Sequence, residues 1–224
     1  MNEVVLQAEK ITKIYNNASE PVLRNVSLTV REGDFISILG ASGSGKSTLL
    51  SILGGMENAT GGSVYFEGKN ICMMKEKDLA KLRRTKLGFV FQFFNLAPYL
   101  TVKENIVLPL LLDGKNIKKY EEKYDELTKY LSIDGLKDKL PRFLSGGEQQ
   151  RVAIARGLIY QPKIIFLDEP TGNLDSRSSD EIMQLLTKIN TELKTTILQV
   201  THSETNASYG NRIVRIKDGM LSEE

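Results

Sequence analysis

The stretch GASGSGKST, residues 40–48, fits G-x-x-x-x-G-K-[S/T] at Gly40, Gly45, Lys46 and Ser47. That spacing points to phosphate binding. Glycines let successive backbone N–H groups turn inward on phosphate oxygens. A helix N-terminus adds unpaired donors and partial positive charge. Lys46 can reach β- and γ-phosphates, and the Ser47 hydroxyl can ligate Mg²⁺. Ala41, Ser42, Gly43, Ser44 and Thr48 complete the loop. A merely flexible glycine–serine loop has no need of the lysine or the hydroxyl.

Further polar residues follow three apolar runs. IIFLDEP places Asp168 and Glu169 directly after a strand-like segment. Adjacent acids there can be a solvated turn, but beside a phosphate loop they suit Mg²⁺ (Asp168) and the activation of water (Glu169). His202, the only histidine, ends ILQVTH. A lone histidine is more often a packing or surface residue, yet its strand-end position matches those of Gly40 and Asp168 and favours a γ-phosphate contact. Gln92 ends LGFVFQ, where an amide can ligate Mg²⁺ or the attacking water. Tyr15, in ITKIY, has two equal readings: a ring that stacks on adenine, or a half-buried strand-end tyrosine.

A second glycine turn, LSGGEQQR, lies about a hundred residues after the first. Ser145 and Glu148 form the S-x-x-E of a capping box, which alone calls only for a well-capped helix. Gly146 and Gly147 exceed what a cap needs and allow close approach to the backbone. The first loop already wraps one face of a nucleotide. The second therefore serves another site or another subunit's nucleotide.

These residues need a frame that gathers strand ends. DFISILG, KIIFLDEP and TTILQVTH read as strands buried on both faces of a parallel sheet. KSTLLSILGGM and SSDEIMQLLTKINTEL have helical spacing, so the order is strand–helix–strand and the class is α/β. VVLQAEKITKIY, VLRNVSLTV and SVYFEG mix alternation with β-formers and predict an N-terminal antiparallel part. Residues 101–160 are mostly helical, with VKENIVLPLLL, IKKYEEKYDELTKYLSI and SGGEQQRVAIARGLIY interrupted by DG and LPRFL. The aromatic stretch FFNLAPYL follows Gln92. Its side chains are expected mostly to pack that helical part, with some lining a groove for a partner's helix.

The 224 residues suffice for one domain with a large core, and a net charge of +2 gives no sign of a nucleic-acid binder. The single cysteine, Cys72, excludes an internal disulfide and reads as a small apolar filler. No secretion signal is expected from MNEVVLQAEK, and runs such as IVLPLLL fall well short of the ~20 residues of a membrane helix. Work at a membrane would need another chain to span it. No N-K-x-D guanine-reading segment is present, which argues against a GTPase.

Taken together, the motifs resemble those of the ATP-binding subunit of ABC transporters, in family order over nearly the whole chain. GASGSGKST resembles the Walker A loop and IIFLDEP the Walker B strand with its catalytic Glu169. Gln92 resembles the Q-loop, Ser145, Gly146, Gly147 and Glu148 the signature, and Asp175 in TGNLDS the D-loop. His202 resembles the switch histidine and Tyr15 the adenine-stacking position. Glu148 stands where the family often has glutamine, and Ser203 where aspartate commonly follows the histidine. Neither change removes a phosphate or metal ligand.

The resemblance implies a P-loop NTPase of ABC type in a single domain over residues 1–224. Residues 1–90 and 160–224 would form a RecA-like core plus β subdomain, and residues 91–159 an inserted helical subdomain. It implies ATP and Mg²⁺ as ligands, with Ser47, Gln92 and Asp168 around the metal and Glu169, His202 and Gln92 in catalysis. Two copies would pair head to tail, so that Ser145, Gly146 and Gly147 reach the γ-phosphate held by the partner's Lys46, with Asp175 in the same interface.

FVFQFFNLAPYLTVKENIVLPL is most similar to the MacB, LolD and BceA branch. That likeness implies a permease contacted between Gln92 and Leu100, an amphipathic cargo (antimicrobial peptide, macrolide, lipoprotein or haem), and a peripheral place on the cytoplasmic face of a bacterial membrane. The alternative is an FtsE-like role, signalling to cell-wall hydrolases. The long coiled-coil insertions of DNA-repair relatives and the paired ATPase domains of ribosome-acting ones are not seen.

Overall fold

The computed structural model describes residues 3–16 and 20–223. An antiparallel sheet contains β1 (Val4–Lys13), β2 (Leu23–Arg31), β4 (Gly61–Phe66) and β5 (Lys69–Asn70), in spatial order β2-β1-β4-β5. A second sheet contains β3 (Phe35–Leu39), β6 (Leu87–Val90), β7 (Ile164–Asp168), β8 (Thr196–Thr201), β9 (Arg212–Lys217) and β10 (Met220–Glu223). Its order is β10-β9-β3-β8-β7-β6, parallel throughout except for the β9–β10 pair.

Seven α-helices surround the sheets among the described residues: α1 (Lys46–Leu53), α2 (Glu76–Thr85), α3 (Val102–Leu112), α4 (Glu121–Tyr130), α5 (Gly146–Leu158), α6 (Ser176–Glu192) and α7 (Glu204–Ala207). None is long and apolar enough to cross a membrane.

The parallel sheet divides two cores, and strand alternation decides which residue enters which. Ile164 and Phe166 of β7, with Ile36, Ile38, Leu198 and Val200, pack against α1 and the antiparallel sheet. Ile165 and Leu167, with Phe35 and Ile197, pack against α3, α5 and α6. All residues of β3 and β8 are buried, as expected for strands covered on both faces.

The helix of KSTLLSILGGM ends at Leu53, at the expected glycine stop: Gly54 and Gly55 follow, and Gly55 takes φ +65°. A capping box formed by Thr101 and Glu104 starts α3. The expected helix over residues 117–133 is split into a one-turn 3-10 segment and α4. Cys72 departs from its expected role as an apolar filler. It lies exposed in the one-turn segment Ile71–Met73, whose buried residue is Ile71.

Candidate active site

β3, β6, β7 and β8 run parallel, so their carboxyl ends share one edge of the sheet. Each delivers predicted residues there. The loop after β3 turns through Gly43 at φ +78° and Gly45 at φ +99°, conformations that strain any residue with a Cβ. At Gly40 the demand is close approach: a Cβ there would lie 2.6 Å from the Ile216 carbonyl oxygen and 2.7 Å from Ser44 Oγ. The Gly40 N–H donates to the Thr201 carbonyl at 3.3 Å, which ties the loop to the end of β8.

Lys46 opens α1 and is only 6% exposed. Its ammonium donates to the carbonyls of Gly40 (2.9 Å) and Ala41 (2.8 Å), so it sits over its own loop with donor capacity left for an anion. Ser44 Oγ is buried without a hydrogen-bond partner among the described residues. An orphaned hydroxyl inside a glycine cradle suits a ligand rich in oxygen acceptors.

The Ser47 hydroxyl donates to Asp168 Oδ1 at 2.9 Å. Burial pushes the Asp168 carboxyl above its usual range. The Ser47 hydrogen bond and Lys46 oppose that rise, and the charge of Glu169 adds to it. A hydroxyl and a destabilised carboxylate at this spacing fit a hard divalent cation. Among the described residues no cluster of three or more His, Cys, Asp or Glu could hold a metal alone, so phosphate and water oxygens must complete such a shell.

Glu169 adopts φ +47°, a left-handed conformation that costs a non-glycine residue on the order of 1 kcal/mol. Its N–H donates to the Val200 carbonyl at 3.1 Å, and its Oε1 meets His202 Nδ1 at 3.0 Å. If Nδ1 donates to this carboxylate, Nε2 can donate to an anionic ligand only when the ring carries its second proton. The Glu169 side chain is 14% exposed and that of His202 65%.

Gln92 lies over the turn after Glu169, where a Cβ on Gly172 would come within 2.8 Å of its amide nitrogen. Its carbonyl accepts from Asn173 Nδ2 at 2.8 Å. Ala41, Ser42, Gly43, Gly45 and Lys46 line one cleft with Ser47, Thr48, Gln92, Glu169 and His202, and its volume is about 670 Å³.

The other predicted residues lie outside that cleft. The Tyr15 hydroxyl is 3.2 Å from Thr48 Oγ1 and donates to Glu57 Oε2 at 3.1 Å, while Lys13 Nζ stands 4.9 Å from its ring centre. Ser145 and Glu148 make the reciprocal capping box of α5, at 3.2 Å and 2.7 Å. A Cβ on Gly146 would meet Leu174 Cδ2 at 3.0 Å, whereas at Gly147 the nearest atom is Ser178 Cβ at 3.7 Å. The Asp175 carboxylate caps α6, accepting from the Ser178 N–H at 3.0 Å and its hydroxyl at 2.7 Å.

Of the stretch TGNLDS sequence reasoning singled out only Asp175, and it left Thr171, Asn173 and Asn206, which brace this site, without a role. Asn173 follows Glu169 closely enough to have been found by proximity in sequence; Asn206 gave no signal.

A model of the ABC transporter family matches residues 23–172. The lipoprotein-releasing system ATP-binding protein LolD of Aquifex aeolicus is 48% identical over 223 residues, covering 98% of this chain and 97% of that one. The bacitracin export ATP-binding protein BceA of Halalkalibacterium halodurans is 44% identical over 219 residues, covering 97% and 87%. Among solved structures, the dimeric post-hydrolysis state of the cassette MJ0796 of Methanocaldococcus jannaschii, bound to ADP and Pi, superposes with a TM-score of 0.88 at 43% identity, covering 98% of this chain and 97% of that one. With matches running the length of these chains and a phosphate loop set against Asp168 and Glu169, this chain belongs to the ABC transporter family, as an ATP-binding, ATP-hydrolysing subunit of the LolD and BceA type.

Proposed function

We propose that two copies of this chain close around two Mg-ATP and drive a membrane permease that exports or extracts an amphipathic substrate. The reading rests chiefly on the division of the phosphate-binding parts. One cleft gathers Lys46, Ser47, Gln92, Glu169 and His202, while the turn at Ser145–Gly147 lies outside it. A second copy, placed head to tail, would bring that turn to the first copy's γ-phosphate. The two helix N-termini would then grip one nucleotide from opposite sides. The dimeric form of MJ0796 supports this assembly.

In this mechanism the loop N–H groups and Lys46 hold the β- and γ-phosphates. Ser47, Asp168 and Gln92 would hold Mg²⁺, which offsets phosphate charge as the terminal bond breaks. Glu169 takes a proton from the attacking water as its oxygen bonds to the γ-phosphorus. The bond to the β-bridging oxygen breaks, and ADP and phosphate leave. His202 keeps Glu169 aligned through Nδ1 and, with both ring nitrogens protonated, donates to the γ-phosphate through Nε2. ATP binding favours the closed pair and hydrolysis releases it, so each turnover is a population shift.

LolD and BceA are named for lipoprotein release and bacitracin export, and both cargoes are amphipathic. For the permease, Phe93 (74% exposed) and Tyr99 (91%) stand out after Gln92, while Phe94 and Leu96 pack inward on the core. Beside them runs a groove of about 500 Å³ with Met56, Phe89, Phe91, Leu108 and Leu112 in its walls. An amphipathic cytoplasmic helix of the permease fits this surface. In this reading the chain works on the cytoplasmic face of the membrane.

Glu169→Gln tests the site. ATP binding should persist, phosphate release should fall by at least ~100-fold, and light scattering should find ATP-dependent dimers. A variant that hydrolyses at the normal rate would remove Glu169 from the role of base.

A further inference from the structure

We propose that Asn206 is a positioning residue for hydrolysis, strapping the His202 loop to the turn that carries Glu169. The proposal rests on the reading of Glu169 and His202 as the catalytic pair. Their direct contact is one hydrogen bond of 3.0 Å, and the His202 side chain is mostly exposed. One hydrogen bond to an exposed ring competes with water and is too weak to fix two loops by itself.

Asn206 supplies a second tie. It lies four residues after His202, and its Nδ2 donates to Thr171 Oγ1 at 2.7 Å. Thr171 is buried two residues after Glu169, in a turn closed by the Gly172 N–H on the Glu169 carbonyl at 3.0 Å. Any shift of α7 away from that turn must therefore break the Asn206–Thr171 bond.

The backbone of Asn206 is anchored as well. Its N–H donates to Ser203 Oγ at 3.2 Å, and the Ser203 N–H donates to Thr201 Oγ1 at 3.1 Å. Its carbonyl accepts from Gln199 Nε2 at 2.8 Å, and the same nitrogen donates to Ser37 Oγ at 2.7 Å. A carbonyl only accepts, which fixes the orientation of the Gln199 amide. Gln199 is wholly buried and faces Ser37 across the β3–β8 pair, yet its Oε1 has no partner among the described residues.

An apolar side chain at 199 would avoid the penalty of that orphaned oxygen. Packing alone therefore gives no reason for an amide in the middle of β8. Holding the Asn206 carbonyl does. The sheet thus anchors Asn206, and Asn206 anchors the catalytic turn.

The test is steady-state ATP hydrolysis by the purified full chain, with thermal melting of every variant. Asn206→Ala should lower kcat about tenfold, as expected for a small displacement of reacting groups, while KM for Mg-ATP stays within about twofold of wild type. Thr171→Val should do the same, and the double variant should be no worse than either single one. Thr171→Ser, which keeps the accepting oxygen, should restore the kcat lost in Thr171→Val.

Wild-type kcat in both Asn206→Ala and Thr171→Val overturns the proposal, as does additive loss in the double variant. If Glu169→Gln stalls hydrolysis while Asn206→Ala does not slow it, only the strap fails. If the wild type hydrolyses no ATP, the reading of the site fails and the strap fails with it.

Discussion

Asp168 shows a conflict between folding and chemistry within one side chain. Burial raises its carboxyl pKa, and the Ser47 hydrogen bond and Lys46 only partly oppose that rise. Well below the ordinary aspartate value of 3.8 the carboxyl is protonated in both folded and unfolded chains, and burial carries no charge penalty. As the pH rises through the elevated value, the folded chain must bury an ion that the unfolded chain leaves in water, and stability falls. Asp168→Asn should therefore raise the Tm of the nucleotide-free protein at pH 7, and the gain should largely vanish when the melt is repeated near pH 3.5. The same variant should lose the Mg²⁺-dependent part of its stabilisation by ATP, since a neutral amide is a poorer ligand for a hard cation. A lower Tm at pH 7 would mean that the Ser47–Asp168 bond, not burial, dominates this residue.

The signature turn and α5 raise the same question for two adjacent glycines. The capping box accounts for Ser145 and Glu148 without any ligand. Gly146 is also explained within the chain, because Leu174 leaves little room for a Cβ. Gly147 is not so explained: its surroundings accept a methyl group at ordinary contact distance. Alanine there should hold or raise the Tm, by an amount equivalent to at most about 1 kcal/mol of helix propensity. If a partner's phosphate approaches this backbone, Gly147→Ala in a Glu169→Gln background should nonetheless lose its ATP-driven dimers on size exclusion. Undiminished dimerisation would show that nothing comes close at this point.

The elements that carry the site were legible because their signals are local: five- and six-residue buried runs, a capping box, and glycines at fixed spacing. α2 was not, because Leu79 is its one buried residue and most of the rest are charged. β9 was missed for another reason. Its place beside β3 comes from pairing Ile36 with Arg212, far apart in sequence, and no local pattern encodes that. Asn206 and its pairing with Thr171 were invisible on the same ground, since only the sheet brings the two within 2.7 Å.

The helix α5 also joins the two ends of the proposed machine. Its N-terminus presents the signature turn. Near its other end, the Arg156 guanidinium donates to the carbonyls of Phe94 (2.9 Å) and Asn95 (2.6 Å). Both of those residues are left-handed, at φ +59° and +49°, so the arginine holds a strained turn in place. That turn follows Gln92, itself braced by Asn173 in the loop after Glu169. If a permease presses on Phe93 and Tyr99 as proposed, these hydrogen bonds link that point to α5 and to the loop after Glu169. Neither aromatic ring lines the nucleotide cleft, so their job can be separated from ATP chemistry. Replacing both with aspartate sets charge on the proposed docking face without opening a cavity, because both are exposed. Phe93→Asp with Tyr99→Asp should leave the isolated chain's ATPase rate within about twofold of wild type, since the cleft is untouched. Pulled from native membranes, the variant should come without the permease that accompanies the wild type. Copurification at the wild-type level would move the docking surface elsewhere and leave these two exposed rings unexplained.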